Sequence, residues 1–464
     1  MNKKTVLAAP FTLATAFFIL CGAWAHAQQG AQIPPAQRQE VPGAVPYRPD
    51  GGPISGDIRQ QSFEIVWRTV KEKHFDPAIG GVDWEKAHET YAPRVAAVKS
   101  DSEFYLLLQE MLGLLRQSHF NIFPPESRAS EVHDESSGGG VGIDLRLIEN
   151  AAMITRVEPD SSASRAGLRP GFLIKKVGDR SVEEIIAAFS KSAERAEIKK
   201  LRMTRSVLAA TSGDPGSMVK IAYIDGQNRT RETTLARERL KGELSPTFGN
   251  FPPQYTEFET RRISAEGAGA MAGYIGYIRF NIFTIPVIKK LSAAIGGFGD
   301  ADGIILDLRG NPGGFGGIAT TIAGRICDAP GSLGVMKLRS GELKFAFFPQ
   351  ENRYSGPVAV LIDGMSASTT EVFSSGIQEL GRAVIVGERS VGAALPSVFQ
   401  KLPTGALFQF AIADFKTPKG VLIEGRGVIP DIEARYDRAS LLNGRDAQLD
   451  TAVEYIRKSQ KKGR

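Results

Sequence analysis

Cysteine is almost missing: Cys21 and Cys327 are the only two in 464 residues. Cys21 lies inside an N-terminal apolar run read below as a cleaved leader, so the mature chain keeps a single thiol and forms no intramolecular disulfide. Cys327 sits in the helix-like run IATTIAGRICDA as a small apolar residue would, and core packing alone must stabilise the fold. Blocks of like charge are also missing. The 57 basic and 51 acidic residues leave a formal charge of only +6 and are scattered along the chain, so nucleic acid is not an expected partner. The glycines of NPGGFGG lack the Lys-Ser/Thr ending of a phosphate loop, and no metal cluster or nucleotide fingerprint occurs. No metal and no cofactor is expected.

With 42% apolar residues the chain is globular, and its length calls for two or three domains. Lys3 and Lys4 precede an apolar run from Thr5 to Trp24, followed by Ala25-His26-Ala27. This reads as a signal peptide over residues 1–27. A membrane anchor competes, because the run approaches the ~20 apolar residues of a span; Pro10 and the small-residue cleavage site favour removal. The expectation is a periplasmic or secreted protein with no stable membrane span after cleavage.

Residues 28–56 are rich in Pro, Gln and Gly and read as a flexible linker. Apolar positions then recur at three and four in FEIVWRTV, WEKAHETYAPRVAAV and FYLLLQEMLGLL, predicting an N-terminal helical domain over 57–130. ESSGGG marks a boundary near residue 137. Short alternating runs follow over 139–238, with a helical insertion near 187–217 and a hairpin signal around Asp-Gly in MVKIAYIDGQNRTRETTLARE. From about 250 to 440 strands and helices alternate, which predicts an α/β layer structure, and 441–464 ends the chain as a helix.

The stretch DGMSASTTEVF places hydroxyls where the apolar strand PVAVLI turns into a helix. Free N–H groups and the dipole at a helix start stabilise an adjacent negative charge, as acyl transfer requires. Capping of that helix by Ser366 or Ser368, with Glu371 completing a capping box, explains the same residues. A second strand, ending in LDLRGNPGG, supplies glycines whose bare N–H groups can approach a ligand. Two such turns side by side make an oxyanion site plausible.

GGGVGIDL and SRAGLRPGFLIKKVGDRSV resemble a PDZ domain; the resemblance implies that Gly140, Val141 and Gly142 hold the carboxylate of a peptide tail added as a strand. A small β domain that only positions its neighbours is the alternative. LDLRGNPGG, SASTTEVFSSGIQELGRAVIVGE and EGRGVIPDI resemble the signature stretches of the carboxyl-terminal processing (tail-specific) proteases. That resemblance implies a crotonase-like α/β peptidase core of spiral β-β-α units, and Ser368 as nucleophile. It also implies a lysine base shortly after VGE, but this chain reads VGERSVGAALPS, with Ala393 in the lysine's place.

A serine without a base is a poor nucleophile at neutral pH. His26 leaves with the leader, His74 and His88 sit in helix-like runs among charges, and His133 lies in the polar boundary. His119 stands in LRQSHFNIF after an apolar helix. The Ser-His pair resembles the tricorn core protease branch, which implies His119 as base, Ser118 as its support and Glu424 of EGRGVIPD as the carboxylate, acting directly or through Ser118. Backbone N–H groups of Gly313, or Gly314 one place on, and of Thr369 are the oxyanion candidates. The expected function is an exported serine endopeptidase acting on protein or peptide substrates through their C-terminal tails, with no cofactor. The alternative is an inactive relative serving as a peptide-binding or scaffold protein. An oligomer is compatible with either.

Overall fold

The computed structural model describes residues 53–125, 138–190, 194–248, 250–264 and 273–463. The expected signal peptide, most of the linker and His133 lie outside the described residues. Helices α1 (Gly56–Lys73), α2 (Trp84–Ala97) and α3 (Asp101–Gly113) start on Ser55, Asp83 and Ser100, whose side chains accept N–H groups of the first turn. Each buries one stripe, for example Phe63, Val66 and Val70 of α1 and Phe104, Leu108 and Met111 of α3. A turn leads from α3 to strand β1 (Asn121–Phe123).

The next unit is an antiparallel sheet of β2 (Ile143–Ile148), β3 (Ala151–Val157), β4 (Leu173–Val177), β5 (Met218–Ile224) and β6 (Thr230–Ala236), in that spatial order. Leu145, Ile154, Ile174, Ile221 and Leu235 fill its core. Between β4 and β5 runs helix α4 (Ala196–Thr211), which packs along the outermost strand β2 and buries Val207 in the same core. The β5–β6 connection spans the residues between Ile224 and Thr230, longer than the two-residue turn that Asp-Gly signals. The Asp225 carboxylate accepts the Gln227 and Arg229 N–H groups and holds that loop.

The remaining chain builds the α/β layers. It runs through β7 (Phe258–Ser264), β8 (Tyr274–Phe280), α5 (Ile285–Gly297), β9 (Gly303–Asp307), α6 (Gly316–Ile326), β10 (Gly331–Leu338), β11 (Gly341–Phe347), β12 (Val358–Ile362), α7 (Thr369–Glu379) and β13 (Val384–Gly387). It continues with β14 (Ser397–Lys401), β15 (Leu407–Ala411), β16 (Ala413–Lys416), β17 (Ile432–Glu433) and α8 (Ala447–Gly463). The central sheet has the order β7-β8-β9-β12-β13-β17, parallel except for the antiparallel β7 edge. Because side chains alternate across a strand, Ile304, Leu306, Val360 and Ile362 face Leu291, Ile322 and Phe373 of α5, α6 and α7. Ile305, Ala359 and Leu361 face the other way, onto Ala452 and Ile456 of α8. Both faces are therefore covered, as parallel strands with apolar residues on both sides require.

The helices α1 to α3 do not close a core of their own. Leu395, Leu402, Phe408 and Phe410 pack among them, and β1 joins β15 and β14 in a three-stranded sheet. The chain between α3 and β1 is thereby fixed beside the late strands. The turns after β9 and β12, at the carboxyl ends of neighbouring parallel strands, occupy the usual place of a site in such a sheet.

Helix α8 is expected to be integral to the fold and not an appendage, because a Cβ on Gly303 of β9 would meet Ile456 at 2.3 Å. Ile456→Ala should cost ~2–5 kcal/mol in denaturant unfolding; a change below ~0.5 kcal/mol, the level of surface substitutions, would contradict that packing.

Candidate active site

Ser368 lies between β12 and α7 with φ 56° and ψ −122°, a backbone conformation that costs of order 1–3 kcal/mol in a residue carrying a Cβ. The other hydroxyls of DGMSASTTEVF are committed to carbonyls. Ser366 donates to Leu308 O at 2.9 Å, Thr369 to Gly314 O at 2.6 Å and Thr370 to Asn311 O at 3.0 Å. Ser368 donates to no carbonyl among the described residues. The capping relation to Glu371 is present as well, with the Ser368 N–H donating to Glu371 Oε2 at 3.1 Å. Helix capping and a partly exposed hydroxyl thus coexist at one residue.

Glu371 is fully buried and gathers the loop that follows β13. Its carboxylate accepts the Ser390 hydroxyl at 2.5 Å, the Gly392 N–H at 2.7 Å and the Ala393 N–H at 2.9 Å. Burial nonetheless pushes its pKa up to about 7, against the pull of those donors. The Ser368 N–H also donates to Ala393 O at 2.8 Å, so the residue in the expected lysine position touches the nucleophile turn through its backbone and offers no amine.

The histidine site assembles from three distant parts of the chain. Glu424 accepts the Ser118 N–H at 2.9 Å, the Ser118 hydroxyl at 2.8 Å and the Ala394 N–H at 3.0 Å. Ser118 Oγ lies 2.7 Å from His119 Nδ1. Since the hydroxyl proton goes to Glu424, the oxygen accepts Nδ1–H, and Nε2 is left as the nitrogen with a free lone pair. Of the two routes expected from the sequence, the carboxylate reaches the imidazole through Ser118. His119 has a left-handed φ of 62°. Its pKa is lowered to about 4 by desolvation and by the Arg205 charge, so the ring is neutral near pH 7. His119 and Ser368 make no hydrogen bond to each other; they are linked through Ser118, Glu424 and the 393–394 peptide, whose oxygen takes the Ser368 N–H and whose N–H goes to Glu424. The other described histidines are occupied: His74 bonds Gln117 and His88 bonds Glu64.

The turn after β9 presses against Ser368. A Cβ on Gly313, at φ 100°, would lie 2.7 Å from both Ser368 Cβ and Thr369 N. The Gly313 N–H, however, is donated to Asn311 Oδ1 at 2.9 Å, which withdraws it as an oxyanion donor. The Gly314 and Thr369 N–H groups find no acceptor among the described residues. Of the two glycines the sequence offers, Gly314 is the one whose N–H is left without an acceptor among the described residues.

Gly140, Val141 and Gly142 lead into the outer strand β2, away from Ser368 in sequence and in a different sheet. Gly140 pairs with Glu238, the Val141 and Gly142 carbonyls accept the N–H groups of Ala163 and Glu158, and the Val141 and Gly142 N–H groups have no acceptor among the described residues. The helical insertion expected near 187–217 is α4, but sequence reasoning gave it no part in the site. Its Leu201 is buried against Met365, Ala367, Val391 and Ala393, the residues flanking the nucleophile turn. Arg195, at its start, donates to Glu424 Oε1 at 3.0 Å and to Gly392 O at 2.7 Å. A contact spanning 229 residues leaves no local signal by which it could be read.

Residues 274–434 match the family model described as Peptidase family S41, and residues 57–113 match the Tricorn protease C1 domain. A carboxyl-terminal-processing protease of Synechocystis sp. is 25% identical over 84% of this chain and 85% of its own. The chloroplastic C-terminal processing peptidase of Tetradesmus obliquus is 24% identical over 81% of this chain and 77% of its own. Among solved structures, the photosystem II D1 C-terminal processing protease superposes with a TM-score of 0.57 at 23% identity, covering 86% of this chain and 97% of its own.

The depressed His119 pKa sets a sign. Between pH 4 and ~6.5 the unfolded chain holds a proton on this ring that the folded chain does not, so this group's contribution to stability rises with pH across that window and is flat above it. The gap in unfolding temperature between the wild-type protein and His119→Ala is expected to narrow as pH falls from about 6.5 to about 4. A gap that stays constant or widens would show the imidazole to be protonated in the folded protein.

Proposed function

We propose that this chain, which belongs to the S41 serine peptidases, is an exported endopeptidase that uses a Ser-His-Glu relay in place of a serine-lysine pair. Ser368 Oγ attacks the scissile carbonyl while His119 Nε2 takes its proton. The N–H groups of Gly314 and Thr369 receive the oxyanion, each worth on the order of 3 kcal/mol if well aimed. His119 then returns the proton to the leaving amine, and water releases the acyl group from Ser368 by the same steps in reverse. Glu424, through Ser118, keeps the proton on Nδ1. The observation that carries this reading is the hydrogen-bonded path from His119 through Ser118 and Glu424 to the 393–394 peptide that also anchors Ser368.

Residues 139–238 are read as a PDZ-like unit and 250–440 as a crotonase-like core. The unpaired Val141 and Gly142 N–H groups, at the entrance to an outer strand, support capture of a substrate's C-terminal carboxylate there. Periplasmic or secreted placement rests on the N-terminal leader; no helix among the described residues is long and apolar enough to cross a membrane. The arrangement described is a covered one. Leu201 rests on the apolar residues around the nucleophile, and Arg195 shares the Glu424 carboxylate with Ser118. This accounts for the missing His119–Ser368 bond without the alternative that the chain is an inactive scaffold.

A fluorophosphonate probe is expected to label Ser368, and labelling should vanish in both Ser368→Ala and His119→Ala, with turnover of a denatured protein substrate falling by roughly 10⁴ to 10⁶. Absence of label on both the folded wild-type protein and a folded variant with α4 loosened would establish the scaffold reading instead. Loosening is tested by Arg195→Ala combined with Leu201→Ser. Basal labelling is expected to rise at least about fivefold, the scale of a coupling between two sites; an unchanged or slower rate would mean that α4 supports the site and does not cover it.

A further inference from the structure

A row of phenylalanines, of which only Phe315 packs against a buried core among the described residues, runs beside the proposed catalytic turns. Phe315 follows Gly314 directly and contacts Phe248 and Phe251, with ring centroids at 4.8 and 5.0 Å. Phe251 meets Phe399 edge-on at 5.6 Å, and Phe399 meets Phe123 at 6.1 Å. The strand pleat explains how the last two come to the surface. Ile122, Phe408 and Phe410 turn into the helical core, while Phe123 and Phe399 lie on the opposite face of the β1-β15-β14 sheet. Phe248 is 40% exposed, and Phe123, Phe251, Phe315 and Phe399 are partly exposed. Phe123, Phe248, Phe251 and Phe399 pack into none of the buried clusters.

Both ends of the row are tied to the chemistry. At one end the Gly314 N–H is the proposed oxyanion donor. At the other, Phe123 stands four residues after His119 on the same segment. Centroid steps of 5.0, 5.6 and 6.1 Å match the reach of about four to five extended residues. A free aromatic strip in water is a cost unless something apolar covers it, and its continuity with the site selects the substrate chain as the cover.

We infer that the Phe315–Phe251–Phe399–Phe123 row is an extended specificity subsite that binds large apolar side chains of the substrate on the leaving-group side of the scissile bond. The side follows from the base: His119 protonates the leaving amine, so the departing segment passes His119 and then the face of β1 that bears Phe123. The inference rests on the reading of Ser368 and His119 given above. It goes beyond that reading by naming which residues of the substrate are selected and by what surface.

The test uses the full chain and matched peptides carrying Phe or Ser at the first to third positions after the cleaved bond, with a second set varied before it. In wild type, Phe after the bond should be favoured over Ser in kcat/KM. Phe251→Ala and Phe399→Ala should each cut that preference about tenfold through KM, with kcat nearly unchanged and the preference before the bond intact. The exposed Phe248→Ala, which disturbs no core, guards against misfolding and should show the same direction with a smaller effect. An unchanged preference in all three folded variants, or a change confined to positions before the bond, overturns the inference. Fluorescence anisotropy of the same peptides on Ser368→Ala separates the two readings. If wild type cleaves nothing but the Phe substitutions still weaken binding of the Phe peptide about tenfold, the subsite stands and the peptidase reading fails; if affinity does not move, the subsite fails whatever the catalytic result.

Discussion

The buried carboxylate of Asp363 is the constraint on which the site depends. It sits at the end of β12, fully out of solvent, where an unpaired charge would cost several kcal/mol. One oxygen accepts the Gly310 N–H at 2.9 Å and the Met365 N–H at 3.0 Å; the other takes Arg146 Nε at 2.6 Å. Gly310 belongs to the turn that carries Gly314, one of the two proposed oxyanion donors, and Met365 to the turn that carries Ser368 and Thr369, so one side chain ties the two turns together. Arg146 comes from β2, in a different sheet, and is itself nearly buried. Its charge is stabilised by Asp363 against the burial that opposes it. Removing either partner would strand a charge in the interior, so the two sheets are locked at this point.

A comparable logic bears on the proposed use of histidine where a lysine base was expected. A lysine base must be desolvated to lose its proton near neutral pH, and it needs room and a dry pocket. Ala393 leaves no such amine, and the volume beside it is taken by Leu201. Histidine needs less perturbation but must hold one tautomer. The Ser118 hydroxyl does this only because Glu424 fixes the direction of its proton. A histidine base would therefore require the carboxylate and the relay serine together, which is why the three residues are informative as a set and ambiguous singly.

The layer architecture was legible because its signals are local. Strand and helix periodicity, the glycine turn after LDLRGN and the hydroxyl-rich turn after PVAVLI each declare themselves within a dozen residues. Ser368, His119 and Glu424 could be proposed as one set only by putting three motifs side by side. What could not be read depends on geometry without local signature. Whether Gly313 or Gly314 offers its N–H turns on where the Asn311 amide oxygen points. The sharing of one apolar core between α1–α3 and the late strands turns on Phe408 and Phe410, nearly 300 residues beyond helix α3, whose alternation announces a strand but not its cover. Helix α4 reads as an ordinary amphipathic segment, and nothing in AEIKKLRMTRSVLAAT says that Leu201 will rest on the nucleophile turn.

Backbone strain closes the argument. Chains usually place glycine where φ is positive, because any Cβ is penalised there. His119, at φ 62°, and Ser368, at φ 56°, break that habit at the two positions where glycine would remove a proposed reacting group. The penalty, of order 1–3 kcal/mol each, must be offset locally. Around Ser368 the offset is visible: its N–H is drawn to Ala393 O and Glu371, and Glu371 is in turn held by Ser390 and Gly392. Around His119 it is the Ser118 N–H and hydroxyl on Glu424, with Phe120 and Ile122 anchored in the helical core immediately after. Substituting glycine at either position would relax the backbone and delete the chemistry, so each strained residue is maintained by the hydrogen bonds and packing that also aim its side chain.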